Sequence, residues 1–271
     1  MRPRALILHA PGTNRDLEAA QALELAGAQP EIVPLNALRA GHQRWADYQM
    51  LVLPGGFSYA DALGAGKLLA LDLNTYFADE VGAFIESGKP VLGICNGFQA
   101  LVKARLLPDP PSANRFPTSP IPRAGFKFRA TLTVNASGRF ECRWITLQPQ
   151  STLCLWTRGL ADVIYCPVAH GEGNFLGADE TLISNLRAHD QIALVYARPD
   201  GAPANGKYPD NPNGSIADIA GICNARGNVL GLMPHPEDHL FPYQHPRWTR
   251  GEKGGLGLKL FENGVQYAAQ L

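Results

Sequence analysis

The sequence predicts an α/β fold with a mostly parallel central sheet that helices cover on both faces. Short apolar runs alternate with helical stretches through residues 1–95, which is typical of strands joined by helical crossovers. The second half is richer in β-branched and aromatic runs, and this predicts additional antiparallel strands. We interpret residues 1–271 as one domain. Long proline-rich or polar loops are expected near 107–125, 199–214 and 237–254.

The first half holds three predicted strands, at 5–8, 31–35 and 50–53, and a fourth that ends at Gly93. A first helix would be capped by Thr13 or Asn14 and stopped by Gly27. Its inward face would consist of Leu17, Ala20, Leu23 and Ala26. Two further helices are expected at 62–71 and 75–87.

Apolar runs in the second half predict six strands, at 126–134, 139–147, 163–169, 191–197, 219–223 and 229–233. A closing helix would bury Leu260, Phe261, Val265 and Ala268. We find no internal repeat.

Composition excludes several classes of function. The formal net charge is zero, so a broad nucleic-acid or membrane footprint is not expected. The first residues lack the apolar core of a signal peptide, and no apolar run reaches membrane-spanning length. Five cysteines without a C-x-x-C pair argue against a disulfide framework or a metal site. A reducing cytoplasm is therefore the expected location.

The segment at 91–99, VLGICNGFQ, carries the strongest functional signal. An apolar run ends at Gly93, Cys95 follows, and Gly97 opens an apolar-rich helical stretch. This is the strand–turn–helix pattern of a nucleophile elbow, with cysteine in place of serine. The start of the helix directs free N–H groups at the sulfur, which favours the nucleophilic thiolate.

A cysteine nucleophile needs a base, and His235 is the best candidate. It follows an apolar strand directly, and the prolines on either side keep the chain extended. Residues two apart then face the same side, so Glu237 would orient the imidazole. The alternative to a catalytic base is a structural role, in which His235 is simply a residue in the turn at the end of a strand.

Acyl transfer also needs donors for the developing oxyanion. The backbone N–H groups of Gly56 and Asn96 are the candidates, because Gly55-Gly56 follows a strand and Asn96 follows the nucleophile. A plain tight turn is an equal alternative for the glycine pair.

Together, GICNGFQ and MPHPE resemble the class I (triad) glutamine amidotransferases, which implies a flavodoxin-like fold. Further blocks are similar to one family among them, the glutaminase subunits of phosphoribosylformylglycinamidine synthases of purine biosynthesis. These blocks are PGGFSY at 54–59, GRFECRW at 138–144, AHGEG at 169–173, NPNGS at 211–215 and IAGIC at 219–223. They occur in order from the first strand to the last helix.

The resemblance implies that Cys95 attacks the glutamine side-chain amide and that His235, oriented by Glu237, protonates the departing ammonia. The N–H groups of Gly56 and Asn96 would hold the oxyanion. Gln99 matches a position near the glutamine pocket, although a helix residue that satisfies a nearby backbone group is the alternative.

Three other segments are assigned less sharply. The block at 139–143 lines the pocket or the partner face, or else only pairs strands. His170 and Glu172 suggest a metal site, but a rigid turn near a subunit interface is the better interpretation. The stretch at 244–250 would dock the partner, cover the pocket or form a solvated loop.

The resemblance also has departures. Close relatives usually have glycine where Ala60 stands and often arginine where Gly64 stands. They usually read PGSNCD where this chain has PGTNRD at 11–16. None of these positions belongs to the predicted triad. The departures therefore bear on contacts with a partner and not on the glutaminase chemistry.

No cofactor is expected in this chain. Gly64-Ala-Gly-Lys67 lacks the first glycine and the final Ser or Thr of a phosphate loop, so ATP and magnesium are expected on a partner synthetase subunit. A third small subunit is a possible bridge.

Three competing functions stay open. The first is a triad glutaminase of another pathway, which isolation of the native partner would reveal. The second is a thiol hydrolase or peptidase on the same fold, which a glutamine-mimicking electrophile that labels Cys95 would test. The third is a non-catalytic binding subunit, which the presence of Cys95, His235 and Glu237 disfavours.

Overall fold

The computed structural model describes residues 1–108 and 129–271. Most of the predicted proline-rich loop at 107–125 and the start of the predicted strand at 126–134 lie outside these residues. Eleven strands form a nine-stranded sheet in the order β2-β1-β3-β4-β11-β10-β9-β6-β7 and a separate pair, β5 and β8, within the described ranges. The strands are β1 (Arg4–His9), β2 (Gln29–Pro34), β3 (Met50–Leu53), β4 (Val91–Ile94), β5 (Ala130–Thr133), β6 (Glu141–Pro149), β7 (Ile164–His170), β8 (Asn174–Gly177), β9 (Ile192–Ala197), β10 (Ile219–Cys223) and β11 (Val229–Leu232).

The sheet is mostly parallel, as the sequence predicts. β2, β1, β3, β4 and β11 pair in parallel, and antiparallel pairing extends the sheet from β11 to β7. Only β10 and β6 run against the other strands of this described sheet. All residues of β3, β4, β10 and β11 are buried, which explains their unbroken apolar character.

Helices cover the sheet in two groups. They are α1 (Asp16–Leu25), α2 (Leu35–Arg39), α3 (Lys67–Tyr76), α4 (Ala78–Glu86), α5 (Asn96–Lys103), α6 (Glu180–Ala188) and α7 (Leu258–Ala268). α1 packs against α7, whereas α5 packs against α3. The crossover from β1 to β2 runs in the opposite direction to the one from β3 to β4, so right-handed connections place these helices on opposite faces. No helix in the described part of the chain has the length and apolarity needed to span a membrane.

The first helix differs from its prediction. Its N-cap residue is Arg15 rather than Thr13 or Asn14, and no side chain caps it. The buried face is Ala19, Ala22 and Leu23, while Leu17 is 72% exposed. Thr13 instead accepts a hydrogen bond from the Ala10 N–H at 3.2 Å, which stabilises the turn before the helix.

Other predictions are confirmed or extended. β3 matches its predicted bounds, and α7 buries the four predicted residues. The structure adds α2, β8 and α6, which the sequence interpretation did not include. The expected loop at 237–254 contains short 3₁₀ turns at Pro236–Asp238, Pro242–Gln244 and Trp248–Arg250.

A turn after β3 adopts an uncommon backbone conformation. Tyr59, Ala60 and Asp61 have φ angles of 55°, 54° and 53°, a left-handed region that side chains disfavour. Ala60 is exposed, so its methyl group contributes little packing to offset this cost. Glycine would adopt this positive φ without strain.

We therefore expect Ala60→Gly to stabilise the protein. Relief of left-handed strain of about 1–2 kcal/mol exceeds the entropy cost of glycine, about 0.5–1 kcal/mol. Urea unfolding should show a higher midpoint with an unchanged slope. Ala62→Gly is the matched control, because Ala62 is also exposed but has an ordinary φ of −55°, and it should destabilise. A lower midpoint for Ala60→Gly would contradict the strain argument.

Candidate active site

Cys95 occupies the elbow that the sequence predicts. It connects β4 to α5 with φ 48° and ψ −103°, a strained conformation for a residue with a side chain. A Cβ on Gly97 would lie 1.9 Å from the Leu53 carbonyl oxygen. Glycine at this position is what allows α5 to begin against the end of β3. The thiol therefore sits at the first turn of a helix, near free backbone N–H groups.

His235 and Glu237 follow the end of β11 and form a buried pair. His235 Nδ1 lies 2.7 Å from Glu237 Oε1, and the two residues are 2% and 1% exposed. The His235 N–H donates to the Pro167 carbonyl at 2.9 Å, which fixes the backbone. A Cβ on Gly55 would lie 2.6 Å from His235 Cε1, so the glycine pair makes room for the imidazole.

The electrostatics of His235 suit a proton carrier. Burial opposes its positive charge and lowers the pKa, but the negative charges of Glu237 and Cys95 outweigh burial. The pKa of His235 is therefore held well above its ordinary value. With Nδ1 engaged by Glu237, the other ring nitrogen is left for the thiol. The structure thus brings the three predicted triad residues together.

The two predicted oxyanion donors lie beside this triad. Asn96 is the first residue of α5, where a backbone N–H has no acceptor within the helix. Gly56 has φ 137°, and a Cβ there would lie 2.6 Å from the Asn14 nitrogen. Phe57, not Gly56, donates its N–H to the Gly12 carbonyl. Among the described residues, neither the Gly56 N–H nor the Asn96 N–H has an acceptor, and their role as oxyanion donors stays a prediction.

A pocket of about 140 Å³ opens next to Cys95 and includes Gly56 in its lining. It lies beyond the carboxyl ends of the strands, where ligands bind in open α/β sheets. Its other side chains come from the turn after β3, from α5 and from the ends of β6 and β7. They include Phe57, Asp61, Gln99, Phe140, His170 and Glu172.

Gln99 lines this pocket and also ties its wall together. Its Nε2 donates to the Glu172 carbonyl at 2.7 Å, and its Oε1 accepts from Asn96 Nδ2 at 3.1 Å. The position of Gln99 fits both interpretations made from the sequence. The residue lies in the predicted pocket, and its amide also satisfies a backbone carbonyl. Direct contact with a substrate stays a prediction.

His170 and Glu172 do not converge on a common point. His170 Nδ1 lies 3.2 Å from Asn135 Oδ1, whereas Glu172 pairs with Lys103 at 3.2 Å. Burial, reinforced by the charge of His235, lowers the pKa of His170 to about 3, so its imidazole is neutral. Among the described residues, the one cluster with metal-ligand spacing is His235, Glu237 and Asp238, which includes two of the predicted triad residues.

The block at 139–143 contributes Phe140 to the pocket, where its ring stacks with Phe57 at a centroid distance of 6.4 Å. Within the block, Arg143 pairs with Glu141 at 2.9 Å. Residues 244–250 are not part of the described pocket lining. Gln244 Oε1 instead accepts hydrogen bonds from backbone N–H groups of its own loop.

Sequence reasoning missed Asp61 and Phe57 as pocket residues. Asp61 is the residue that stands where a phosphate loop would need its first glycine, and the sequence predicted no pocket role for it. Its placement depends on three consecutive left-handed residues without a glycine among them, which no local pattern predicts. The one sequence signal for these two pocket residues was that they follow the Gly55-Gly56 pair, at the carboxyl end of a predicted strand.

Comparisons with known proteins agree with this geometry. The CobB/CobQ-like glutamine amidotransferase domain family matches residues 2–268. The phosphoribosylformylglycinamidine synthase subunit PurQ of Treponema denticola is 55% identical over 271 residues, covering 98% of this chain and 99% of the relative. The PurQ of Dehalococcoides mccartyi is 43% identical, covering 99% and 98%.

Solved structures give the same grouping. A chain in the structure of PurLQS from Thermotoga maritima has a TM-score of 0.72 and 31% identity, covering 98% of this chain and 99% of that chain. A glutamine amidotransferase from Thermotoga maritima, at 15% identity and a TM-score of 0.56, shares the fold. The chain belongs to the CobB/CobQ-like glutamine amidotransferase family and, within it, to the phosphoribosylformylglycinamidine synthase subunits PurQ.

Proposed function

We propose that this chain is the glutaminase subunit of a phosphoribosylformylglycinamidine synthase. It hydrolyses glutamine to glutamate and ammonia for de novo purine biosynthesis. The observation that carries the proposal is the buried His235–Glu237 pair that interacts with Cys95 at the edge of a pocket. Family membership supports the choice of substrate.

The chemistry follows from the roles of three side chains. Cys95 gives its thiol proton to His235, and its sulfur attacks the side-chain amide carbon of glutamine while the N–H groups of Gly56 and Asn96 stabilise the oxyanion. His235 donates its proton to the leaving nitrogen, so ammonia departs and a glutamyl thioester remains. His235 then takes a proton from water, which attacks the thioester and releases glutamate. Glu237 keeps the imidazole in the required tautomer throughout.

The ammonia has to be used on another polypeptide. A synthetase subunit would hold ATP and magnesium and convert formylglycinamide ribonucleotide to formylglycinamidine ribonucleotide. The PurLQS relative supports such an assembly, in which a third small subunit would act as a bridge. We place the enzyme in the cytoplasm and treat residues 1–271 as a single glutamine amidotransferase domain.

Glutamate release should depend on the partner. We expect the purified chain alone to hydrolyse glutamine at least about tenfold more slowly than the same chain in complex with its synthetase subunit and the synthetase substrates. The reason is that hydrolysis without a consumer would waste glutamine. A complex that carries Cys95→Ala corrects for background ammonia release. Full activity of the isolated chain would contradict the dependence, and no glutamine hydrolysis in any assembly would contradict the function itself.

A further inference from the structure

Two carboxylates line the pocket beside Cys95, and they differ in how their charge is balanced. Glu172 has a cationic partner, because its Oε2 lies 3.2 Å from Lys103 Nζ. The Lys103 ammonium also donates to the Ala65 carbonyl. Asp61 forms no ion pair within residues 1–108 and 129–271. Among the residues that the structure describes, the pocket therefore carries one carboxylate without a direct cationic partner.

Asp61 is held rigidly in this position. Its Oδ1 accepts a hydrogen bond of 3.0 Å from Asn96 Nδ2, next to the nucleophile in sequence. The amide of Asn96 is itself fixed, because its Oδ1 accepts from the Ser58 N–H at 3.2 Å and the Ser58 hydroxyl at 2.5 Å. The left-handed turn that ends at Asp61 points this side chain to the pocket, and such strain persists where surrounding contacts enforce it.

The charge on Asp61 is incompletely compensated by the protein. Burial raises the pKa of Asp61, and the negative charge of Glu172 raises it further. The hydrogen bond from Asn96, the charge of Lys103 and the Gly66 backbone N–H lower it, but the net shift is upward. A cation that entered the pocket would lower this electrostatic cost.

We propose that Asp61 binds the α-ammonium group of glutamine and is thereby a specificity-determining residue. The inference rests on the proposed function, which places the side-chain amide at Cys95. The α-carbon is then three carbons away from the reacting carbonyl, and its ammonium is the only cationic group that the substrate offers. Within the described part of the chain, Asp61 is the pocket carboxylate that lacks a cationic partner, and the Asn96 amide holds it in place to receive this ammonium.

The test compares two substrates of the assembled complex. Glutaramate has the same side-chain amide and carboxylate as glutamine but lacks the α-amino group. We expect Asp61→Asn to lower kcat/KM for L-glutamine by at least about tenfold, as for the loss of a hydrogen bond to a charged group. The value for glutaramate should change less than about twofold. The preference for glutamine over glutaramate should therefore shrink in the variant.

Asp72→Asn is the matched control for this variant. Asp72 accepts a hydrogen bond from the Tyr59 hydroxyl, so it supports the same turn, but it is not part of the pocket lining. This control should affect both substrates equally. Equal losses for both substrates in Asp61→Asn would show a structural role and overturn the proposal.

A second measurement does not depend on the folding of an Asp61 variant. In the Cys95→Ala complex, which binds without turnover, glutamine should bind at least about tenfold more tightly than glutaramate. Equal affinities would overturn the proposal. Failure of the wild-type complex to hydrolyse glutamine would instead overturn the proposed function together with the inference, so the two failures are distinguishable.

Discussion

Replacing Cys95 with alanine is expected to abolish glutamine-dependent synthesis while leaving ammonia-dependent synthesis nearly intact. The alanine has no nucleophile, so the thioester does not form, and the glutaminase rate should fall by roughly 10⁴ or more. The helix and strand at the elbow should be preserved, because Cys95 contributes only a small, buried side chain there. Added ammonium salts would bypass the missing step and supply the synthetase directly.

The two nitrogen sources make this experiment decisive. Formation of the amidine product is measured with glutamine and with ammonia, on the wild-type and variant complexes in parallel. Cys142→Ala is the matched control, since Cys142 is exposed and absent from the pocket lining. It should leave both activities unchanged. Loss of ammonia-dependent synthesis in Cys95→Ala would indicate failed folding or assembly, and retained glutaminase activity would exclude Cys95 as the nucleophile.

The central sheet was predictable because its buried strands carry their own signal. β3 is an apolar run that Pro54 and glycines end, and the structure gives the predicted bounds. The proximity of Cys95 and His235 was predictable for a related reason, since Cys95 follows β4 directly and His235 lies shortly after the end of β11. Parallel neighbours bring their carboxyl ends to one edge of the sheet, and β4 and β11 are neighbours.

The parts that were missed depend on weaker or tertiary signals. α6 carries a weak local signal, which is its N-cap residue Asp179. Asp179 Oδ1 accepts a hydrogen bond from the Leu182 N–H at 2.8 Å. β8 spans four residues and is stable only because β5 pairs with it, so its own sequence says little. The orientation of Asp61 depends on a hydrogen bond from Asn96, which is 35 residues away in sequence.

Glu237→Gln should produce the other large loss of activity. A glutamine amide can place its NH₂ group toward His235 Nδ1, which would favour the wrong tautomer and leave the imidazole unable to accept the thiol proton. Loss of a carboxylate in this role lowers kcat by about 10⁴-fold in a well-studied serine protease. We expect a fall of about 10² to 10⁴ in glutamine hydrolysis, with ammonia-dependent synthesis retained. Glu262→Gln, which removes a surface charge paired with Lys259, is the control and should change neither rate.

The pH profile distinguishes an electrostatic role of Glu237 from a purely positional one. The charge of Glu237 raises the pKa of His235 against the effect of burial. Without that charge the pKa of His235 falls, so the imidazolium that protonates the leaving ammonia is lost at a lower pH. The alkaline limb of kcat/KM in Glu237→Gln should therefore move to lower pH than in the wild-type complex. An unchanged limb with a reduced rate would mean that Glu237 only orients the ring, and an unchanged rate would remove it from the triad.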